Sequence, residues 1–392
     1  MSARQYRIFA GRAADARTER AATSVSVSDG RIVEVCAAQG SNRPSAGDID
    51  ARDCLLLPGF VDIHVHGGAG RGTMEARRDA QDDIARHLAA HGVTGFLPTT
   101  ITGPWELQAE AVAVAASAMG DGANRRVGAS VLGVHLEGPY INPKKKGAQP
   151  EQFIRPPDPG DLERHLGDNV AALKIVTLAP EVDGATALIR YLVDRGTIVS
   201  IGHTDATYAQ VVDAIALGAR HVTHCFNAMR PMESREPGVV GAAMARPELR
   251  AELIWDNIHV HPASCRALVK AKGAAGMVLI SDGIPGSGMQ DGFQFSLGDL
   301  PVTIHDGSAR LPDGTLAGSL LTLDLAFANA AEFGLSDRSA MISYNPALAL
   351  GLGHRKGLLA PGYDADLVLL GADGAVRATV VGGELIYDAD AR

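Results

Sequence analysis

The sequence predicts an α/β fold, a (β/α)8 TIM barrel with a small β-sandwich domain formed by the N- and C-terminal segments. Three observations lead to this prediction. Short apolar runs alternate with helical patterns from residue 55 onward, and each run is almost continuously hydrophobic, as buried parallel strands are. Both ends of the chain instead contain hairpin patterns. Eight runs favour a barrel, although an open doubly wound sheet would show much of the same alternation.

The eight apolar runs are the candidate barrel strands. They cover residues 55–63, 93–98, 130–136, 172–178, 197–201, 221–225, 251–255 and 277–280. Segments between them have helix signals. Thr204 or Asp205 can cap a helix over 206–217, and Pro262 can open another that ends near Gly273.

The chain ends differ from the middle. Asp-Gly pairs at 29–30 and 373–374 lie between strand patterns, which is a strong hairpin signal. We therefore predict a β-sandwich domain from residues 1–57 and 357–392, and a barrel domain from residues 58–356. The glycine-rich stretch between Gly283 and Gly318 is long for a plain connection and indicates a lid or flap.

The composition of the chain argues against some classes of function. A net charge of −9 argues against nucleic acid as a partner, and the chain lacks the run of about 18 apolar residues that a membrane span needs. The four cysteines are scattered, and no secretory signal precedes the first strands, so a reduced cytoplasmic protein is expected. These cysteines are Cys36, Cys54, Cys225 and Cys265.

Metal-binding residue types recur where six of the eight candidate strands end, which is where barrel active sites lie. They are His64, His66, Glu137, His203, His224, His259 and Asp282. Imidazoles and carboxylates are the usual ligands of catalytic zinc or non-haem iron, and such a metal activates water. Each residue alone has a simpler explanation: an H-x-H pair arises by chance, and Asp-Gly is a common turn. The shared position along the strands carries the argument. His135 and His221 are expected in supporting or packing roles.

Several stretches resemble the amidohydrolase superfamily. They are PGFVDIHVHG at 58–67, NPA at 345–347 and PGYDADLV at 361–368. Four more are similar to the N-acetylglucosamine-6-phosphate deacetylase family within it, namely HLEGP at 135–139, GHTDA at 202–206, THCFNAM at 223–229 and REPG at 235–238. The resemblance covers most of the chain.

The resemblance implies roles for the strand-end residues. Glu137, His203 and His224 are expected to bind a principal metal, and His64 and His66 would allow a second, so one or two Zn or Fe ions per subunit are expected. Asp282 is expected to act as a general base toward water and then as an acid toward the departing amine.

The resemblance also implies a substrate, an N-acetyl amino-sugar 6-phosphate, and commonly a homodimer. Asn227 and Ala228 are expected to contact the phosphate, with positive charge from Arg235 and His259. Leu316 corresponds to a position at the acetyl end. Ala148 and Gln149 follow Lys146-Gly147, where some members have a histidine; a glutamine can form hydrogen bonds but cannot be cationic.

The predicted reaction is deacetylation of N-acetyl-D-glucosamine 6-phosphate. The alternative is the same reaction on N-acetylgalactosamine 6-phosphate, since Asn257 and Gly283 depart from the family pattern near the sugar pocket. More distant alternatives are an amidohydrolase acting on a cyclic amide, which a lysine in place of Glu137 would have favoured, and a non-catalytic scaffold on the same fold.

Overall fold

A computed structural model describes residues 5–38, 44–119 and 127–391. The predicted domains begin at residue 1 and end at residue 392. Their residues 1–4, 39–43, 120–126 and 392 lie outside the described part of the chain.

Eight parallel strands form the barrel. They are Phe60–Val65, Val93–Thr100, Val134–Glu137, Leu173–Leu178, Ile198–Ile201, His221–Val222, Arg250–Ile254 and Met277–Ile280. Each strand pairs with the next, and a short strand, Ser130–Val131, flanks the second. The eighth strand returns to the first, because the N–H of Asp282 donates to the carbonyl of His64 over 2.9 Å and Gly283 bridges to Val65. The barrel prediction is confirmed, and the open sheet is excluded.

Helices cover the outside of the barrel. They are Arg78–Ala90, Trp105–Met119, Pro159–Leu166, Ala185–Asp194, Tyr208–Leu217, Gly238–Ala245, Pro262–Lys272 and Leu323–Asn329, followed by the short turns Leu335–Ser339, Ala340–Tyr344 and Asn345–Ala349. None of the helices in the described ranges is long and apolar enough to cross a membrane.

The predicted cap of the fifth helix was wrong. Thr207 caps it, since its hydroxyl accepts from the N–H of Gln210 at 3.3 Å. The hydroxyl of Thr204 instead donates to Glu181 over 2.5 Å, and the N–H of Asp205 donates to the same carboxylate. Thr204 and Asp205 therefore belong to the loop after the strand, and the helix begins at Tyr208, two residues later than predicted.

Both chain ends join in one seven-stranded, mostly antiparallel sheet. Its spatial order is Glu384–Asp388, Val376–Val381, Leu367–Leu370, Ile49–Pro58, Gln5–Ala14, Glu19–Ser28 and Arg31–Ala37. The predicted run 55–63 is therefore divided between this sheet and the barrel. Gly59 lies at the division, where a Cβ would come within 2.2 Å of the Thr94 side chain. The domain boundaries at 57/58 and 356/357 remain predictions.

The glycine-rich stretch after the eighth strand contains a small antiparallel sheet. Its strands are Gln294–Leu297, Leu300–His305 and Ser308–Arg310. Leu297 and Val302 pack with Ile101 and Ile284 in a separate apolar cluster. This flap lies at the carboxyl end of the barrel and supplies one wall of the cavity described next.

Candidate active site

The carboxyl ends of the barrel strands bring together six predicted side chains. His64 and His66 lie at the end of the first strand, and Glu137 ends the third. The other three, His203, His224 and Asp282, each lie two residues after the end of a later strand. Three of these have left-handed backbone conformations, with φ of 47° at His203, 26° at His224 and 49° at Asp282. Such values are uncommon for residues with a Cβ and concentrate at functional sites.

Glu137, His203 and His224 form the first candidate metal-ligand group. Oε1 of Glu137 lies 3.2 Å from Nε2 of His203 and 3.1 Å from Nε2 of His224. The two imidazole nitrogens are themselves 3.2 Å apart. One carboxylate oxygen and two imidazole nitrogens therefore converge on one point.

His64, His66 and Asp282 form the second group. Oδ1 of Asp282 lies 3.4 Å from Nε2 of His64 and 3.2 Å from Nε2 of His66. Glu137 faces this group too, with its Oε2 3.5 Å from Nε2 of His66 and its Oε1 3.4 Å from Nε2 of His64. Glu137 therefore faces both groups.

The hydrogen bonds of the imidazoles fit a cation site. Nδ1 of His64 donates to Glu252, Nδ1 of His66 to the carbonyl of Thr99 and Nδ1 of His203 to the carbonyl of Lys145, at 3.0, 3.1 and 3.0 Å. With the proton on Nδ1, each neutral ring directs an Nε2 lone pair inward. Two such lone pairs, on His64 and His66, face each other at 3.3 Å. Only a proton or a cation makes this arrangement favourable, and a divalent metal fits the ligand types.

The charges in the cluster shift several pKa values. Burial alone would lower the pKa of His64, but Asp282, Glu137 and Glu252 raise it well above its ordinary value. Burial alone would raise the pKa of Asp282, but His64 and His66 lower it to about 2. The cluster therefore favours ionised carboxylates facing positive charge.

Gln149 closes one side of the cluster. Its side-chain amide donates to Oε2 of Glu137 at 2.5 Å, while its carbonyl accepts from the N–H of Thr102 at 2.7 Å. The side chain is only 5% exposed. Gln149 thus fixes the orientation of the shared carboxylate.

A cavity of about 260 Å³ opens beside the cluster. His66, Glu137, His203, His224 and Asp282 line its floor, and its walls include six predicted substrate residues, namely Ala148, Gln149, Asn227, Ala228, His259 and Leu316. Arg235 is exposed and does not line this cavity within the described ranges. The structure therefore brings together every predicted site residue except Arg235.

His259 has a partner that favours its cation. Its Nδ1 lies 2.6 Å from Oδ2 of Asp256, whose other oxygen accepts the N–H groups of Ile258 and His259. Burial opposes the charge, but the hydrogen bond and charge of Asp256 raise the pKa of His259. Asn257 adopts φ 65°, a left-handed conformation that glycine and asparagine tolerate best.

Sequence reasoning missed Glu252. This fully buried carboxylate contacts His64 and has a pKa lowered to about 2, because His64 outweighs the effect of burial. A charged residue inside the apolar strand Arg250–Ile254 was the available signal. Glu252, His64 and His135 also lie close enough to hold a metal, but both nitrogens of His135 are already bonded, to the carbonyl of Ile63 and the hydroxyl of Thr177.

A parallel barrel with histidines and carboxylates gathered at the carboxyl ends of its strands defines the class of barrel hydrolases. The model of the amidohydrolase family matches residues 55–386. The chain belongs to the amidohydrolase family, and the family predicted from the sequence motifs is confirmed.

The chain is also similar to several known proteins. It is 40% identical over 367 residues to the N-acetylglucosamine-6-phosphate deacetylase of Bacillus subtilis (strain 168), covering 93% of this chain and 92% of that protein. It is 38% identical over 349 residues to the N-acetylgalactosamine-6-phosphate deacetylase of Escherichia coli O157:H7, covering 87% and 90%. A solved structure of a mutant N-acetyl-D-glucosamine-6-phosphate deacetylase from Mycobacterium smegmatis, in complex with N-acetyl-D-glucosamine 6-phosphate, superposes with a TM-score of 0.90 at 33% identity, covering 97% of this chain and 99% of that chain.

Proposed function

We propose that this protein hydrolyses the acetamide of N-acetyl-D-glucosamine 6-phosphate, which gives D-glucosamine 6-phosphate and acetate. The observation that carries the proposal is the convergence of Glu137, His203 and His224 with Asp282 on the floor of one cavity. The relative from Bacillus subtilis and the substrate complex from Mycobacterium smegmatis support the same substrate.

The residues of the cluster have different proposed roles. Glu137, His203 and His224 would hold a principal divalent cation, and His64 and His66 a second. A cation there supplies Lewis acidity and activates water. Zinc or iron, one or two per subunit, suits these ligand types.

Asp282 moves the proton. Its Oδ1 faces His64 and His66, so we assign proton transfer to the second oxygen. The carboxylate takes a proton from the attacking water and then delivers it to the amide nitrogen, which leaves as the amine. Its low pKa keeps Asp282 ionised, as a base must be at the start of the cycle.

The cavity walls recognise the sugar phosphate. Cationic His259 and the polar loop at Asn227 and Ala228 are the candidate phosphate contacts, and Leu316 is the candidate contact of the acetyl methyl group. Arg235, which is exposed on a loop, is proposed to complete the phosphate site in a homodimer. We also propose that the protein acts in the cytoplasm.

The second candidate substrate is N-acetylgalactosamine 6-phosphate. The relative from Escherichia coli O157:H7 is named for it, and the two sugars differ only at the C4 hydroxyl. One hydrogen bond in the cavity can decide between epimers.

The test is acetate release by the metal-loaded protein from the gluco substrate, the galacto epimer and unphosphorylated N-acetylglucosamine, measured side by side. We expect the gluco 6-phosphate to have the highest kcat/KM. Preference for the epimer would keep the chemistry and change the substrate, whereas no release from any of the three would overturn the proposal.

A further inference from the structure

Glu252 contacts one residue in each of the two candidate metal-ligand groups. It lies on the seventh barrel strand, Arg250–Ile254, with its side chain fully buried. Its Oε2 accepts a hydrogen bond from Nδ1 of His64 at 3.0 Å and another from the backbone N–H of His224 at 3.1 Å. Among the described residues, Glu252 is not one that lines the cavity, so it cannot touch the substrate there.

The contact with His64 is the exception among the imidazoles of the cluster. His66 and His203 donate from Nδ1 to the backbone carbonyls of Thr99 and Lys145, which every residue type supplies. Nδ1 of His224 is buried without a hydrogen-bond partner in the described part of the chain. Among the described residues, His64 is the one imidazole of the cluster whose Nδ1 is bonded to a side chain, and a carboxylate is a stronger acceptor than a carbonyl.

His135, the imidazole that packs against His64, does not supply another acceptor. The two ring centroids are 4.5 Å apart, but the nitrogens of His135 bond to Ile63 and Thr177. If the acceptor is lost, the proton of neutral His64 is free to move to Nε2. An imidazole that is protonated at Nε2 has no lone pair for a cation at that atom.

We propose that Glu252 is a positioning residue of the metal centre, which holds the proton of His64 on Nδ1 and so presents the Nε2 lone pair to a divalent cation. The N–H of His224 holds the carboxylate in place. The inference rests on the proposed metal-dependent function. Partners of this kind typically change metal affinity by 10-fold to 100-fold when they are removed.

Two substitutions of Glu252 and one control substitution test this positioning role. Glu252→Met removes the acceptor at similar length. Glu252→Gln keeps an acceptor oxygen for His64, and its amide can face Nε2 of His221, which lies 3.5 Å from Oε1 of Glu252 and is unbonded among the described residues. The control is Thr177→Val, which removes buried hydrogen bonds to His135 and Thr223 without touching a proposed ligand.

The readout is the affinity of the metal-free protein for Zn²⁺, measured by competition with a chromophoric chelator. We expect Glu252→Met to bind about 10-fold to 100-fold more weakly. Glu252→Gln should lose about 2-fold to 10-fold, since it keeps the acceptor but loses its charge, and Thr177→Val should stay within about 2-fold. Thermal unfolding establishes that each variant is folded. If Glu252→Met does not fold, Glu252→Gln carries the test, and wild-type affinity in that variant would overturn the proposal.

A double-mutant cycle with His64→Ala separates positioning from general structure. If Glu252 acts through His64, a Glu252 substitution should weaken Zn²⁺ binding by no more than about 2-fold once His64 is alanine. Equal losses in both backgrounds would overturn the proposal. Histidine ¹⁵N NMR of the Zn²⁺-loaded wild type should find the proton of His64 on Nδ1, and a proton on Nε2 would also contradict the proposal. Neither readout uses acetate release, so a wrong substrate leaves this test intact.

Discussion

The side-chain amide of Gln149 donates to Oε2 of Glu137 at 2.5 Å, on the opposite side of the carboxylate from His203 and His224, which approach Oε1. A neutral side chain therefore sets the orientation of the acid shared by both ligand groups. Gln149 also lines the cavity.

Replacing Gln149 with leucine should lower kcat/KM about 10-fold to 100-fold, since a hydrogen bond to a charged group contributes about 1.5–3 kcal/mol. Steady-state acetate release measures the loss, and metal analysis shows whether binding at Glu137 is weakened. The matched control is Gln152→Leu, an exposed glutamine three residues later whose side chain donates to Asp299. If the Gln149→Leu and Gln152→Leu variants were equally active, the role assigned to Gln149 would be wrong.

Replacing Asp282 with asparagine should lower kcat by about 10²-fold to 10⁴-fold, which is the usual contribution of a positioned acid–base group. The change is isosteric, so thermal unfolding should show a folded protein and KM should change little. Asp306→Asn, an exposed aspartate in the flap, serves as the control. Near-normal turnover by folded Asp282→Asn would show that another group carries the proton.

The barrel, and the grouping of most residues of the candidate site, could be predicted because their signals are local. An apolar run marks a buried strand, and His64 and His66 share a face because they are two residues apart. The features of the site that could not be predicted depend on partners that are far apart in the sequence. Glu252 and His64 are 188 residues apart in the sequence. His203 is oriented by the backbone carbonyl of Lys145, and because every residue type has such a carbonyl, the sequence carries no signal for this contact. The position of Arg235 outside the cavity likewise follows from loop geometry, which has no periodic pattern.

His259 should bind the phosphate through its positive charge. Replacing it with glutamine should raise KM for the phosphorylated substrate about 10-fold or more, as expected for the loss of a charged hydrogen bond of at least about 1.5 kcal/mol. Activity on unphosphorylated N-acetylglucosamine should be unchanged, which is the internal control. An equal loss on both substrates would indicate that His259 does not recognise the phosphate.

The charge of His259 also predicts a pH dependence. Asp256 raises the pKa of His259 above 6.5, so the cation persists to higher pH, and substrate affinity should fall as pH rises through that raised pKa. In Asp256→Asn the fall should move to lower pH. Asp282 and Arg310 also act on this imidazole, in opposite directions. KM measured from pH 7 to 9, where the substrate phosphate is largely dianionic, checks the shift. The same profile in both proteins would contradict the pairing.

Lys356 should hold the terminal sheet to the end of the barrel. Its ammonium contacts Asp366 and lies 3.2 Å from Asp364, and all three side chains are at most 10% exposed. Burial alone would lower the pKa of Lys356, but the two carboxylates raise it, so its contribution to stability is present at neutral pH and lost only above about pH 10.5.

Lys356→Met should therefore lower the free energy of unfolding at pH 7 by about 3 kcal/mol, because the buried carboxylate of Asp366 loses its lysine partner. Asp364 keeps its ion pairs with Arg31 and Arg355, so it adds little to this loss. Urea unfolding measures the change, and Lys270→Met, at an exposed lysine on Pro262–Lys272, is the control, with an expected effect within about 0.5 kcal/mol. Above about pH 10.5 the difference between Lys356→Met and the wild type should shrink, since the wild-type lysine then loses its proton as well. A difference that stays constant across this range would mean that packing of the lysine stem, rather than its charge, joins the two sheets.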